Sequence, residues 1–141
     1  MRLILFVACA LALLGQNAET FKARLSAAPA DARTRAGLTG TGIVAGTLTG
    51  TKLTINGNLQ DLRSSPTTAS LHDGVAAGVR GPEIGNLRIS TAASGAISQT
   101  TISGTFDITP QQIASLHRGG LYIEIHSEKA PDGALWGWLL K

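Results

Sequence analysis

The sequence predicts an all-β fold: two antiparallel sheets packed as a β-sandwich, with one short helix. Three observations predict it. Gly (17 residues) and Thr are abundant and charged residues make up only 15% of the chain, a composition that disfavours helix and suits strands joined by tight turns. Apolar residues alternate with polar ones over short runs, the period of a half-buried strand. Turn signals recur roughly every 8–12 residues, as in sandwiches of short strands.

Taken in order, Phe21, Ala23 and Leu25 alternate with Lys22 and Arg24, giving a first strand with one exposed side. Ala27 to Gly37, with Pro29 and Asp31, reads as a loop. A strand runs from about Gly42 to Leu48, with a hairpin turn at Thr49-Gly50-Thr51. Leu53, Ile55 and Leu59 share one face, and Thr54, Asn56 and Asn58 the other. That parity is unbroken across Asn56-Gly57, which favours one strand over a turn at the dipeptide. Ser64-Ser65-Pro66 ends the region, and a short strand from Thr67 to His72 stops at Asp73-Gly74.

From Asp73 to Gly85 the chain carries Gly74, Gly78, Gly81 and Pro82 with no periodicity. This is a long loop, the kind of segment that carries function. Leu87 and Ile89 mark the next strand. Ile97 has one parity and Ile102, Phe106 and Ile108 the other, so a turn or bulge is expected near Ser98 to Thr101. Thr109 is the N-cap of a helix, Pro110 sits at its first position and Gln112 completes a capping box. Gly119-Gly120 stop it after about two turns. A strand from Leu121 to Ser127, a turn at Pro131-Asp132-Gly133 and a final strand from Ala134 to Leu140 complete the chain. The final strand is apolar on both faces, so it is expected to be central and covered on both sides.

Residues 1–18 read as a signal peptide. Arg2 supplies the positive start, Leu3 to Leu14 an uncharged apolar run, and Ala18 a small residue at the cleavage position. The run is too short to span a bilayer, which takes about 20 apolar residues. Cys9, the one cysteine, lies inside this leader, so the mature domain, residues 19–141, is expected to fold without a disulfide. The expected location is periplasmic or secreted. The basic residues are scattered and have few aromatic neighbours, which argues against a nucleic-acid stripe. No basic amphipathic helix offers itself to a membrane surface, and no insertion is expected once the leader is removed.

The chain contains three histidines. His117 falls at the helix C-terminus, where a structural role is expected. His72 and His126 each end a strand. If those ends are adjacent they can hold copper or zinc together with Glu124 or Asp73; the alternative is that both hydrogen-bond loop backbone. Trp136 and Trp138 share one side of the last strand, for core packing or for stacking on a sugar or other ligand. No Ser/His/Asp spacing, glycosidase-type carboxylate pair or phosphate-cradling loop stands out.

The last third, Gly120-Leu121-Tyr122-Ile123-Glu124-Ile125-His126-Ser127, then Pro131-Asp132-Gly133 and Trp136-Gly137, resembles the CHRD family, the domain first described in chordin. Ala69-Ser70-Leu71-His72-Asp73-Gly74 is similar to that family's "AHIHxG" segment, with Ser70 where the family has its first histidine. The resemblance covers essentially all of residues 19–141. It implies an immunoglobulin-like or superoxide-dismutase-like β-sandwich in a secreted protein. With Ser70 in place of the first histidine the chain keeps His72 but lacks the His-x-His pair, whose two rings would point the same way from one strand. The expectation is therefore a non-enzymatic binding or structural module with no cofactor. Its partner would be an extracytoplasmic protein or ligand, met through a loop containing Asp73, Gly74, Gly78, Arg80 and Gly81. The alternative is weak copper or zinc binding, with superoxide-dismutase-like chemistry, through His72 and His126.

Overall fold

The computed structural model describes residues 17–28, 39–94 and 97–141. Residues 1–16 of the expected leader and most of the expected 27–37 loop lie outside the described residues. Among the described residues eight strands and one helix follow in the order β1 (Glu19–Ala27), β2 (Thr41–Thr49), β3 (Lys52–Gln60), β4 (Pro66–Asp73), β5 (Glu83–Ser94), β6 (Ile97–Asp107), α1 (Pro110–His117), β7 (Leu121–Ser127) and β8 (Ala130–Trp138).

The expected two-sheet sandwich is not what forms. The strands close into one antiparallel barrel in the order β1-β2-β3-β6-β5-β4-β7-β8. Two strands change partners part-way along and so join what would have been separate sheets. β1 pairs with β2 from Glu19 to Leu25, then with β8 through Ser26 and Ala27. β5 pairs with β4 from Glu83 to Leu87, then with β6 from Arg88 onward. Alternation and turn spacing are the same for a sandwich and a barrel; the difference lies in whether the outer strands meet.

The β1–β8 seam is narrow. Beyond the two paired residues it is held by Lys22 and Leu140, whose backbones exchange hydrogen bonds of 2.7 and 2.9 Å. Between these fastenings Gly137 lies directly on β1. A Cβ there would overlap the Arg24 carbonyl oxygen and sit 2.8 Å from Leu25 Cδ2. Only glycine allows the two backbones this approach.

The alternation read in β1 and β3 is borne out, and β2 alternates in the same way. Phe21, Ala23, Leu25, Val44, Leu48, Leu53, Ile55 and Leu59 point into one core with Leu71, Ile102, Ile123, Ile125, Leu135 and Leu139. β3 runs unbroken through Asn56-Gly57. The helix begins as expected: Gln112 N–H donates to Thr109 Oγ1 at 3.2 Å, and Thr109 N–H to Gln112 Oε1 at 2.9 Å. Leu116 and Ile113 pack onto the core, so α1 buries its apolar side against the barrel.

Three turn expectations are corrected. The β7–β8 turn is at Glu128-Lys129, not at Pro131-Asp132-Gly133. It is tied down by Glu128 N–H on Ser65 O and Lys129 N–H on Ser64 Oγ. Residues 131–134 instead bulge opposite His126, between the pairs Ser127↔Ala130 and Ile125↔Leu135. A bulge needs no ladder donor from Pro131 and uses Gly133 at φ 126°, so the residues that punctuate a turn also suit it. Ser98 to Thr101 are not a turn but pair within β6. The long loop ends at Pro82, and Gly85 lies inside β5.

Candidate functional site

The outer faces of β4, β7 and β8 are built by parity. Ala69, Leu71, Ile123, Ile125 and Leu135 face the core, so Ser70, His72, Tyr122, Glu124, His126, Trp136 and Trp138 face outward. Register sets them in two cross-strand rows, Ser70–Glu124–Trp136 and His72–Tyr122–Trp138. The Tyr122 and Trp138 rings lie 5.1 Å apart, Trp136 and Trp138 lie 4.6 Å apart, and His72 stacks on Tyr122 at 4.9 Å. Trp138 Nε1 is buried without a hydrogen-bond partner.

The loop between β4 and β5 folds down over this face. The Tyr122 hydroxyl accepts from Gly81 N–H at 3.0 Å and donates to Gly81 O at 3.2 Å. His72 Nδ1 donates to the same carbonyl at 3.0 Å. Asp73 N–H donates to Pro82 O, and Gly74 N–H to Gly120 O. Side chains at Gly74 and Gly81 would collide with the backbone of Val79 and Asp73 respectively. Val75 has φ 60°, a left-handed conformation that is costly for a β-branched residue. Its N–H donates to Asp73 Oδ1 and its carbonyl accepts from Arg118 Nε. The segment Val75 to Val79, with Gly78 at its tip, is exposed and wholly apolar.

Glu124 is the buried charge of this face, 3% exposed. Arg80 Nη1 donates to its Oε1 at 3.2 Å, and the Arg80 guanidinium lies 4.9 Å over the Trp136 ring. The two histidines flank the same carboxylate. His72 Nε2 is 3.8 Å from Oε2, and His126 Nε2 is 3.8 Å from Oε1. Each ring is oriented by backbone: His72 Nδ1 through Gly81 O, and His126 Nδ1 through Pro131 O at 2.6 Å. With Nδ1 carrying the proton, the neutral His72 ring accepts at Nε2 from the Ser70 hydroxyl, 2.8 Å away.

The structure thus brings His72, His126 and Glu124 together and leaves Asp73 outside the group. The rings approach opposite oxygens. Among the described residues no group of three or more His, Cys, Asp or Glu is arranged to hold a metal ion. Ser70 and His72 resemble a nucleophile and its base, and Ser70 is 4% exposed. His117 pairs at 3.0 Å with Glu19, which Lys141 also contacts at 2.8 Å. The Lys141 hydrogen bond, aided by His117, holds the Glu19 carboxyl below its ordinary range.

Beside the face, a groove of about 580 Å³ runs between the loop and the barrel wall. Its walls are Trp136, Trp138, Ile43, Leu140 and Ala77, and Lys22, Arg24 and Ser26 line the β1 side. Sequence reasoning singled out the two tryptophans. It missed Lys22 and Arg24 as their neighbours, because β1 and β8 stand at opposite ends of the chain.

A family model described as CHRD domain matches residues 21–139. No curated protein and no solved structure matches the chain.

Proposed function

The chain belongs to the CHRD-domain family, and on that footing we propose that it is an extracytoplasmic, non-enzymatic binding module. Its working surface is the outer face of β8 with the Asp73–Pro82 loop. The observation that carries this reading is the groove: two indoles, exposed apolar side chains and cations side by side on one wall. Concave, mostly apolar sites with a few polar groups are the usual form of ligand sites. The signal-peptide pattern of residues 1–18 supports export. Glu124, Arg80, His72 and Tyr122 serve this surface by seating the loop.

The test is to express the full chain with its leader, locate the product and sequence its N-terminus. The recovered protein is then screened, immobilised, against panels of lipids, glycans and peptides. The expected result is a product cleaved near Ala18 outside the cytoplasm, holding a ligand that Trp136→Ala releases. Uncleaved cytoplasmic protein, turnover of a panel compound, or binding indifferent to Trp136→Ala would overturn the reading.

A second reading, copper or zinc at His72 and His126 with Glu124, is favoured by one observation. Both Nε2 atoms face the carboxylate while both Nδ1 atoms are held by carbonyls, the outer-shell arrangement of histidine ligands. It requires Arg80 to leave Oε1. Stoichiometric metal in the exported protein, lost in both His72→Ala and His126→Ala, would establish it; metal-free protein with a melting temperature unmoved by copper or zinc would remove it.

A further inference from the structure

Resting on the reading of this face as a ligand site, we propose that the groove holds an amphipathic anion, an apolar chain ending in a carboxylate or similar acid. The walls select the chain. Trp136, Trp138, Ile43 and Leu140 present apolar surface, and Ile43 and Leu140 are 65% and 49% exposed. Burying such surface stabilises by roughly 25 cal/mol per Å². Register explains the assembly: Ile43 pairs across from Arg24, Leu140 from Lys22, and Trp136 from Ser26.

The charge selects the head. Lys22 and Arg24 are two apart on β1, so both side chains leave the barrel on the same side, about 7 Å apart. Among the described residues no acidic side chain lines the groove. Among the described residues neither cation takes part in a salt bridge. An anion between them gains two charge-assisted contacts at the mouth of an apolar trough. A neutral sugar fits less well. Its hydroxyls need amide and carboxylate partners, and among the described residues Ser26 is the one neutral polar side chain in the lining. A flat bilayer is the competing partner, since the exposed apolar tip Val75–Val79 borders the groove through Ala77, and the test separates the two.

The test titrates the full-length chain's exported product with monomeric dodecanoate, read by tryptophan fluorescence and calorimetry. Saturable one-to-one binding is expected. The double variant Lys22→Glu/Arg24→Glu should weaken it at least tenfold, as should replacing dodecanoate by dodecanol. Ile43→Asp should weaken it comparably. All three positions are exposed, and the melting temperature of each variant checks its fold. No saturable binding, or equal binding of dodecanol and dodecanoate, would overturn the proposal. Another panel compound released by Trp136→Ala would then still uphold the ligand face itself. Sedimentation with phosphatidylglycerol vesicles without dodecanoate binding would also overturn it and make the face a membrane-docking surface.

Discussion

Replacing Gly137 with Ala tests how the barrel closes. The new methyl group would overlap the Arg24 carbonyl oxygen and lie 2.9 Å from the Arg24 carbonyl carbon. These are backbone atoms, so no rotamer change relieves the clash, and β8 must move off β1. Overpacking of this kind costs about 1–3 kcal/mol. Movement also strains the seam bonds on either side, Lys22 N–H to Leu140 O, Leu140 N–H to Lys22 O and Ala28 N–H to Ala134 O. Losing one adds about 1 kcal/mol. The expected loss is about 2–4 kcal/mol, a fall in melting temperature of roughly 6–15 °C for a domain of this size. Gly46→Ala is the control. Gly46 also faces the interior, but its Cβ would meet only side chains, Leu139 Cδ2 at 3.4 Å and Leu53 Cδ1 at 3.5 Å. That change should stay within about 0.5 kcal/mol. The assays are thermal unfolding by circular dichroism and hydrogen exchange at the Lys22 and Leu140 amides, which should lose protection in Gly137→Ala alone. Equal stability and unchanged protection in Gly137→Ala would refute the claim that this close approach shuts the barrel.

Three further outcomes follow from the geometry. Thr109→Ala removes the side-chain half of the capping box and should cost about 1 kcal/mol in chemical denaturation, with Thr109→Ser recovering most of it. Tyr122→Phe removes both hydroxyl contacts to Gly81; faster hydrogen exchange and proteolysis confined to Val75–Gly81 are expected, with the barrel amides unchanged. The Glu19 carboxyl is depressed by Lys141 and His117, so the folded state binds its proton less readily than the unfolded state. Its contribution is therefore present above the ordinary value of 4.5 and fades as pH falls through the lower folded-state value. The melting temperature of Glu19→Gln should lie slightly below wild type at pH 7, and the gap should close in acid.

The sequence by itself determined which way side chains point, because a strand's period of two is local. Phe21, Ala23 and Leu25 could only be read as one buried row, and Tyr122, Glu124 and His126 share a face for the same reason. The helix start was equally legible, since Thr109, Pro110 and Gln112 act within one turn of chain. Pro131-Asp132-Gly133 was legible as an interruption but not as a bulge, because the same residues serve both and the choice depends on the strand opposite. Tertiary structure alone decided that β1 and β8 meet, that the fold is a barrel and not a sandwich, and that Lys22 and Arg24 border Trp136 and Trp138. Alternation says which side a residue faces and nothing about which strand lies beside it; that neighbour is set by backbone pairing between residues more than a hundred positions apart, permitted where Gly137 lets the chains touch.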